Sequence, residues 1–234
     1  MQLVKFYKKL LLLHGRQGWW PLLGVKGENP TKTGSMRGYH PGDYSYPKNQ
    51  EQKFEICIGA ILAQNTNWVN VEKALLNLQK AGALGAKKVL QIKKEKLAKL
   101  VRPAGYFNQK ARKLKEFAKF YLKCGEGVPT REELLGIWGV GPETADSILL
   151  YAYKLPFFVV DAYTKRIFAK EKFFKENEKY EKIRQMCEEK LPKDYKLLQE
   201  FHALIVEHVK NGALEKKKLN FTALNRRKKP FCKG

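Results

Sequence analysis

The residues best placed to do chemistry lie between Gly139 and Asp161 of this 234-residue chain. The two glycines of Gly139-Val140-Gly141 allow positive φ and close backbone approach, and Pro142 suits the first position of a helix. Several N–H groups can therefore point at one phosphate. Asp161 follows a short loop that ends in two valines. This spacing predicts a DNA-binding hairpin that delivers one catalytic acid. Two structural alternatives stay open: helical hairpins often turn through glycines, and Asp161 can cap a helix at 162–170.

The charge balance favours nucleic acid as the partner. The chain has 46 Lys and Arg against 23 Asp and Glu, a formal net charge of +23, and 44% of its residues are hydrophobic. The hydrophobic content is sufficient for a large core, and the excess of cations must produce a strong positive field. A solvated, Lys/Glu-rich surface of the heat-adapted kind is the alternative. Such surfaces keep the two signs nearer to balance.

Cysteine usage and the first residues of the chain limit the cofactors and the compartment. The cysteines are scattered, at positions 57, 124, 187 and 232, without the CxxC or metal-knuckle spacing of a metal site. The apolar run 10–13 is too short for a membrane span, and its flanks are too charged for a signal peptide. We therefore expect a soluble, intracellular protein with reduced thiols, no metal and no membrane partner.

Helical periodicity accounts for all the regular elements that the sequence predicts. The apolar spacing predicts helices at 2–14, 54–62, 68–80, 86–91, 94–101, 109–123, 142–154, 161–170, 178–190 and 193–213. Residues 24–49 are rich in turn-forming types and predict a loop, and residues 130–133 match a capping box. No stretch shows sustained alternation with a period of two. The sequence therefore predicts an all-α fold.

Four motifs resemble those of the endonuclease III-like helix-hairpin-helix (HhH-GPD) superfamily of DNA glycosylases. They are GAILAQNT at 59–66, GYFNQKA at 105–111, LGIWGVGPETA at 135–145 and VVD at 159–161. A weaker similarity covers 201–208, so the resemblance extends over most of the chain. It implies two helical domains that flank a cleft. The first is a six-helix barrel with the helix-hairpin-helix motif at 50–155, and the second combines 1–49 with 156–234.

The resemblance also implies a reaction. Asp161 matches the family's catalytic aspartate, and a carboxylate there would stabilise the oxocarbenium-like sugar that forms when an N-glycosidic bond breaks. Members that also cleave the DNA strand have a lysine nucleophile where this chain has Glu143, and a carboxylate cannot form a Schiff base. Endonuclease III also holds an iron–sulfur cluster on four C-terminal cysteines, whereas only Cys232 follows His208 here. We therefore expect hydrolysis by water, without strand cleavage and without a cluster.

Within the superfamily, the chain is similar to the 3-methyladenine glycosylases that lack the cluster. Trp19, Trp20 and Trp68 match the aromatic positions of their base pocket, to which the resemblance adds Glu143 and Lys210. Stacked aromatic rings suit an alkylated purine because a cationic base binds a π face more tightly than its neutral parent. The structural alternatives are a Trp19-Trp20 staple that holds the N-terminal helix, a core role for Trp68, and a solvated Lys210.

Other matching residues are expected to contact the DNA. Gln64 and Tyr106 match positions from which the family pushes side chains into the duplex when a base is flipped out. Backbone contacts are expected from the hairpin, with Trp138, Gly139, Val140, Gly141 and Thr144 as the residues concerned. The resemblance leaves open a monovalent cation at the hairpin. The basic run 226–229 is expected to attract phosphates without specificity.

These features together predict a monomeric enzyme of base excision repair in the cytoplasm of a prokaryotic cell, associated with the nucleoid. Its partner would be double-stranded DNA with a damaged base, with alkylated purines such as 3-methyladenine favoured. One alternative is a glycosylase of the same fold for uracil, mismatched, hypoxanthine or oxidised bases. Another is a DNA-binding module without catalysis. Asp161 argues against the module, because a protein that only binds phosphates has no use for a carboxylate that faces them.

Overall fold

The structure, a computed structural model, describes residues 2–32, 34–175 and 177–213. The α-helices in these ranges are α1 (Gln2–His14), α2 (Gln50–Leu62), α3 (Trp68–Lys80), α4 (Ala86–Gln91), α5 (Lys94–Leu100), α6 (Phe107–Cys124), α7 (Arg131–Leu135), α8 (Pro142–Ser147), α9 (Ala162–Lys170), α10 (Tyr180–Lys190) and α11 (Tyr195–His208). The described residues contain no β-strand, only an isolated bridge between Glu28 and Arg37. The all-α prediction is confirmed. None of these helices is long and apolar enough to cross a membrane.

Side-chain caps explain where several helices begin. Asn67 caps α3, which spans the residues predicted from the sequence. The residues Thr130 and Glu133 form the complete capping box at α7. Asn49 caps α2, which begins at Gln50, four residues before the predicted start. The prediction was late because the first turn of α2 is polar and carries no apolar signal.

One group of helices packs around α2 and α6. The residues of α2 from Phe54 to Leu62 are all buried, and α6 packs against α2, α4 and α5. Removal of this apolar surface from water is the main favourable contribution to folding. The short helices α7 and α8 pack on each other across the turn 136–141, and this pair is the predicted helix-hairpin-helix.

A second group consists of α1, α9 and α11. The helix α11 packs against both α1 and α9, and ring contacts join Phe201 to Phe6 at 6.1 Å and to Phe168 at 6.3 Å between centroids. The division into two domains stays a prediction, as do the exact domain boundaries, 50–155 and 1–49 with 156–234.

The helix predicted at 142–154 is helical from Pro142 to Ala152, but it is not an α-helix throughout. The helix α8 ends at Ser147, and a π-helical turn follows at Ile148–Ala152. Within this turn all residues are buried, so hydrophobic periodicity could not distinguish it from an α-helix. A second π-helical turn at Val209–Ala213 ends the helix predicted at 193–213. Turns of this kind are frequent at functional sites.

Candidate active site

Asp161 lies directly before α9 and caps it. Its Oδ1 accepts a hydrogen bond from the backbone N–H of Thr164 at 2.7 Å, so the capping alternative is confirmed. The other oxygen, Oδ2, lies 3.6 Å from Nε2 of His202 on α11, and 13% of the Asp161 side chain is exposed. The cap uses one oxygen and leaves the second beside the imidazole.

The surroundings of Asp161 favour its ionised form. Burial raises the pKa of the carboxyl, but His202 and the N–H of Thr164 together outweigh this effect and hold the pKa below its usual value. A carboxylate at this position is therefore charged at neutral pH, as the stabilisation of a cationic sugar requires.

Glu143 lies in the first turn of α8, two residues after the last glycine of the hairpin. Desolvation and, next, the charge of Asp161 raise the pKa of its carboxyl to about 7, against opposing effects of His202 and Lys165. Glu143 is nevertheless an exposed residue. The structure thus brings Glu143 and Asp161 together as two carboxyl groups of different acidity.

Aromatic rings continue from His202 away from Asp161. The ring of Trp19 meets His202 edge to face with 5.6 Å between centroids, and it lies 6.4 Å from the ring of Trp20. The Trp20 ring in turn contacts Trp68 at 5.2 Å and Tyr151 at 5.0 Å. The three tryptophans predicted from the sequence therefore form one cluster beside the carboxylates.

The burial of these rings separates two roles. Trp20 is 7% exposed and packs against Gly59, where an added Cβ would lie 3.1 Å from the Trp20 Nε1. The side chains of Trp19 and Trp68 are only partly buried. Trp20 is therefore a buried core residue beside α2 and α3, whereas Trp19 and Trp68 keep exposed surface, and the base-pocket role of all three stays a prediction.

Lys210 lies in the second π-helical turn and reaches the same cluster. Its Nζ is 5.7 Å from the centroid of the Trp19 ring and 3.1 Å from a carboxylate oxygen of Glu207, whose side chain is fully buried. The ammonium group is therefore part of an ion pair, although Lys210 is also an exposed residue, and its place in the pocket stays a prediction.

The hairpin is contacted by two side chains, Gln64, two residues after α2, and Lys113 on α6. Gly139 has φ +85°, and a Cβ there would lie 2.6 to 2.8 Å from side-chain carbons of Lys113, so only glycine fits. Gln64 donates from Nε2 to the Gly139 carbonyl at 3.0 Å and to Oγ1 of Thr144 at 2.9 Å. Lys113 donates to the Gln64 Oε1. Gln64 and Thr144 thus fix the hairpin in this structure, and insertion of Gln64 into a duplex stays a prediction.

The remaining hairpin residues differ in exposure. Val140 is buried, so a contact of this residue with DNA would use its backbone, as would one of Gly141, the extended N-cap residue of α8. Trp138 is 44% exposed, and the guanidinium of Arg112 stacks over its ring at 3.9 Å from the centroid. Arg112, which sequence reasoning did not single out, extends the basic surface of the hairpin.

Tyr106 is the exposed aromatic residue of the turn before α6. Its side chain is 65% exposed, and its backbone is left-handed, with φ +43°.

The ammonium of Lys110 donates to the carbonyls of Ala104 at 2.6 Å and Leu62 at 2.9 Å. Burial, followed by the charge of Lys113, lowers the Lys110 pKa to about 8. Lys110 therefore links the segments that carry Gln64 and Tyr106.

A buried network joins the helix-hairpin-helix to the segment before Asp161. Asp146 on α8 accepts hydrogen bonds from Arg131 at 2.6 Å and from the hydroxyl of Tyr180 at 2.7 Å. The same hydroxyl accepts from the N–H of Val160 at 3.5 Å. The same hydrogen-bond network thus contacts both the helix-hairpin-helix and the segment before Asp161.

Sequence reasoning missed His202, Tyr151 and this network as parts of the site. His202 did lie in the segment 201–208 that showed a weak family similarity, which was the only available signal. Neither periodicity nor motif spacing indicates that Tyr151 and Asp161 meet the same imidazole.

Few features in the described ranges suggest a metal. No three His, Cys, Asp or Glu side chains there are grouped to hold one. At the hairpin, the carbonyls of Ile137 and Gly139 already accept hydrogen bonds from Val140 and Gln64. A hairpin cation would have to share these oxygens, and it stays a prediction. Cys232 and the basic run 226–229 lie outside the described residues.

Comparisons with known proteins give a consistent family. The family model of "HhH-GPD superfamily base excision DNA repair protein" matches residues 58–193. A protein of Methanocaldococcus jannaschii, named as a DNA repair glycosylase, is 42% identical over 223 residues, or 91% of this chain and 89% of its own length. The H. pylori 3-methyladenine DNA glycosylase bound to 1,N6-ethenoadenine has a TM-score of 0.67 and 30% identity, covering 90% of this chain and 97% of its own. An endonuclease III–DNA complex shares the fold, with a TM-score of 0.68, 17% identity, and 88% of this chain and 84% of its own covered.

Proposed function

The chain belongs to the HhH-GPD superfamily of base excision DNA repair proteins, and from this premise we propose that it is a monofunctional DNA glycosylase. It hydrolyses the N-glycosidic bond of a damaged base that has been flipped out of double-stranded DNA. The observation that carries the proposal is the pair of carboxyl groups, Glu143 and Asp161, beside the aromatic cluster.

Asp161 stabilises the positive charge that develops on the sugar. A carboxylate about 3.5 Å from that charge contributes roughly 5 kcal/mol at an effective dielectric of 20. The same carboxylate orients the attacking water. Its lowered pKa supports both roles, because only the ionised form can perform them.

Glu143 is the reason to expect base release without strand cleavage. A strand-cleaving relative needs an amine at this position, and a carboxyl group cannot attack the sugar to form a Schiff base. Lys210 is the amine closest to the aromatic cluster among the residues considered for the pocket. Its Nζ is held in an ion pair with Glu207 at 3.1 Å.

The surroundings of the pocket favour a cationic base. Trp19 and Trp68 offer aromatic surface, and a positively charged alkylated purine gains from both a π face and the nearby carboxylates. The solved relative that holds 1,N6-ethenoadenine has the same overall fold. We therefore place 3-methyladenine and related alkylated purines ahead of uracil, mismatched, hypoxanthine or oxidised bases.

The protein is further proposed to act as a monomer without an iron–sulfur cluster. Two of its cysteines, Cys57 and Cys187, are buried in α2 and α10. A cluster needs four thiolates that converge on one site, and these two belong to separate helices of the core.

Base release from a panel of duplexes tests the proposal. Duplexes with 3-methyladenine, 7-methylguanine, hypoxanthine, uracil or thymine glycol are incubated with the protein, with and without alkali, and in parallel with borohydride. We expect strand breaks only after alkali, the fastest release of alkylated purines, and no borohydride-trapped complex. Asp161→Asn should keep its DNA affinity and lose turnover.

Three results would contradict the proposal in different ways. Strand breaks without alkali, or a trapped complex, would show lyase activity, and its loss in Lys210→Ala would identify Lys210 as the nucleophile. Undiminished activity of Asp161→Asn would remove Asp161 from its role. No release from any duplex would favour a DNA-binding module.

A further inference from the structure

Three side chains from separate elements form a line that ends at the proposed catalytic carboxylate. The hydroxyl of Tyr151, in the first π-helical turn, lies 2.8 Å from Nδ1 of His202 on α11. The opposite ring nitrogen, Nε2, lies 3.6 Å from Oδ2 of Asp161. His202 is 5% exposed, so these contacts lie inside the protein and not on its surface.

Hydrogen-bond accounting indicates which nitrogen carries the proton. The Tyr151 hydroxyl donates to the Gln199 carbonyl at 3.2 Å, and its oxygen lies 2.8 Å from His202 Nδ1. A lone pair on Nε2 would face the Asp161 carboxylate, which is unfavourable, so we assign a proton to Nε2. An imidazolium also donates from Nε2.

The Nε2 group has no closer partner in the part of the chain that the structure describes. It is buried and forms no hydrogen bond within 3.5 Å there, and an unsatisfied buried donor is costly. Asp161 Oδ2 is the acceptor that faces it, at a distance slightly beyond a normal hydrogen bond. Catalytic contacts of this kind often tighten when substrate binds.

The charged and titratable groups that face Asp161 act in opposite directions. The charge of Asp161 raises the pKa of Glu143 on α8 and the pKa of Tyr151. Burial raises the pKa of Asp161 itself, whereas Thr164, on its own helix, and His202, on α11, favour its ionised form. His202 is therefore the side chain on another element that offsets the burial of the carboxylate.

We propose that His202 is a positioning residue for Asp161, with its ring held in place by Tyr151, and that its Nε2–H orients the carboxylate toward the base pocket. Thr164 fixes one carboxylate oxygen and His202 the other, so the plane of the carboxylate is defined from both sides. The effects on the rate of base release rest on the proposed function. The contact of His202 with Asp161 does not depend on the substrate.

Four variants test the proposal. His202→Phe removes the donor while filling the space, His202→Gln keeps an amide donor, and Tyr151→Phe removes the hydroxyl that contacts His202 Nδ1. The matched control is Tyr121→Phe, which loses a buried hydroxyl that bonds Gln50, away from the site. Single-turnover base release is measured as a function of pH, together with the affinity for the same duplex.

A positioning role predicts a specific pattern. In His202→Phe the rate at neutral pH should fall about tenfold, as for loss of one hydrogen bond to a charged group, while DNA affinity is unchanged. Because the pKa of Asp161 would rise without His202, the acid limb of the rate profile should move to higher pH. His202→Gln should recover part of the rate, Tyr151→Phe should show a smaller shift in the same direction, and Tyr121→Phe none.

A carboxyl ¹³C NMR titration of Asp161 supplies a readout without catalysis, with the signal assigned from Asp161→Asn. A higher Asp161 pKa in His202→Phe supports the proposal even if the protein releases no base from any duplex, in which case only the proposed function fails. An unchanged Asp161 titration in a folded His202→Phe protein overturns the proposal. The proposal is also overturned if the acid limb of the His202→Phe rate profile is unchanged and the loss of rate parallels a loss of stability.

Discussion

Asp146→Ala should destabilise the protein strongly, because Asp146 is a fully buried anion between two arginines. Its Oδ1 lies 2.6 Å from Nε of Arg131, and its Oδ2 lies 3.9 Å from Nε of Arg184. The side chains of both arginines are largely buried, with 11% and 12% exposed. Removal of the carboxylate leaves two desolvated cations with one partner fewer.

The size of the loss depends on the anions that remain. Removal of one member of a buried ion pair costs about 3 to 5 kcal/mol. Arg131 keeps Glu181 at 2.6 Å, and Arg184 keeps Glu188 at 2.6 Å, so we expect the low end, about 3 kcal/mol of unfolding free energy. For a chain of this size that corresponds to a decrease in Tm of roughly 6 to 12 °C.

Thermal and urea unfolding measure this change, with Glu178→Ala as the control. Glu178 also forms an ion pair, with Lys182 at 2.8 Å, but the lysine is 61% exposed. An exposed pair contributes about 0 to 1 kcal/mol, so the control should hardly change Tm. Asp146→Asn, which retains the shape and an acceptor for Tyr180, should fall between the two.

The network also supports the segment that carries Asp161, through the contact of Tyr180 with the N–H of Val160. Base release by Asp146→Ala, measured well below its Tm, should therefore be slower than that of the wild-type protein. A Tm for Asp146→Ala equal to that of Glu178→Ala would refute the reasoning. It would mean that the remaining glutamates fully compensate both arginines.

Glu143→Gln should slow the release of cationic 3-methyladenine more than that of neutral hypoxanthine. In the wild-type protein this preference should grow as the pH rises through about 7, where Glu143 ionises; single-turnover rates on both duplexes measure it. Arg112→Ala should lower the slope of log affinity against log salt by about 0.9, the value for one lost phosphate contact, whereas Lys5→Ala on α1 should leave the slope unchanged. Burial raises the Glu55 pKa from 4.5 to about 7, so the folded protein binds more protons than the unfolded chain between these values and loses stability as the pH rises through them. Glu55→Gln should remove this dependence, which amounts to about 3 kcal/mol, as followed by urea unfolding below and above the window.

Each of these predictions has a contrary outcome. Equal losses on both lesions would show that Glu143 does not discriminate base charge. A salt slope that is the same for Arg112→Ala and the wild-type protein would place Arg112 outside the DNA interface. A Glu55→Gln protein with the pH dependence of the wild type would assign that dependence to another group.

Local signals in the sequence determined most of the helix positions. The extent of α3 was predicted from its amphipathic spacing, and the capping box at α7 was predicted from residues 130–133 alone. These features depend on residues a few positions apart. The π-helical turn at 148–152 was missed because a fully buried segment carries no periodic contrast.

Only those residues of the candidate site that lie in family-like motifs could be predicted from the sequence. Asp161, Glu143 and the tryptophans lie in segments that resemble the family, and the structure brings them together. The contacts of His202 with Tyr151 and Asp161 span 51 and 41 positions, from the residue numbers. Such pairings follow from how helices pack and not from any local pattern, so no spacing rule could predict them.

The extra residue of the π-helical turn matters for how relatives are aligned. A π-helical turn closes its hydrogen bonds over five residues in place of four, as seen between Tyr153 and Ile148. A relative that lacks one residue there would form an ordinary α-helical turn, and the following side chains would rotate by about 100°. Such a protein could keep both a tyrosine and a histidine in its sequence and still have lost the contact between them. A relative with the same residues at positions 151 and 202 therefore has the same arrangement at the active site only when its π-helical turn also has the same length.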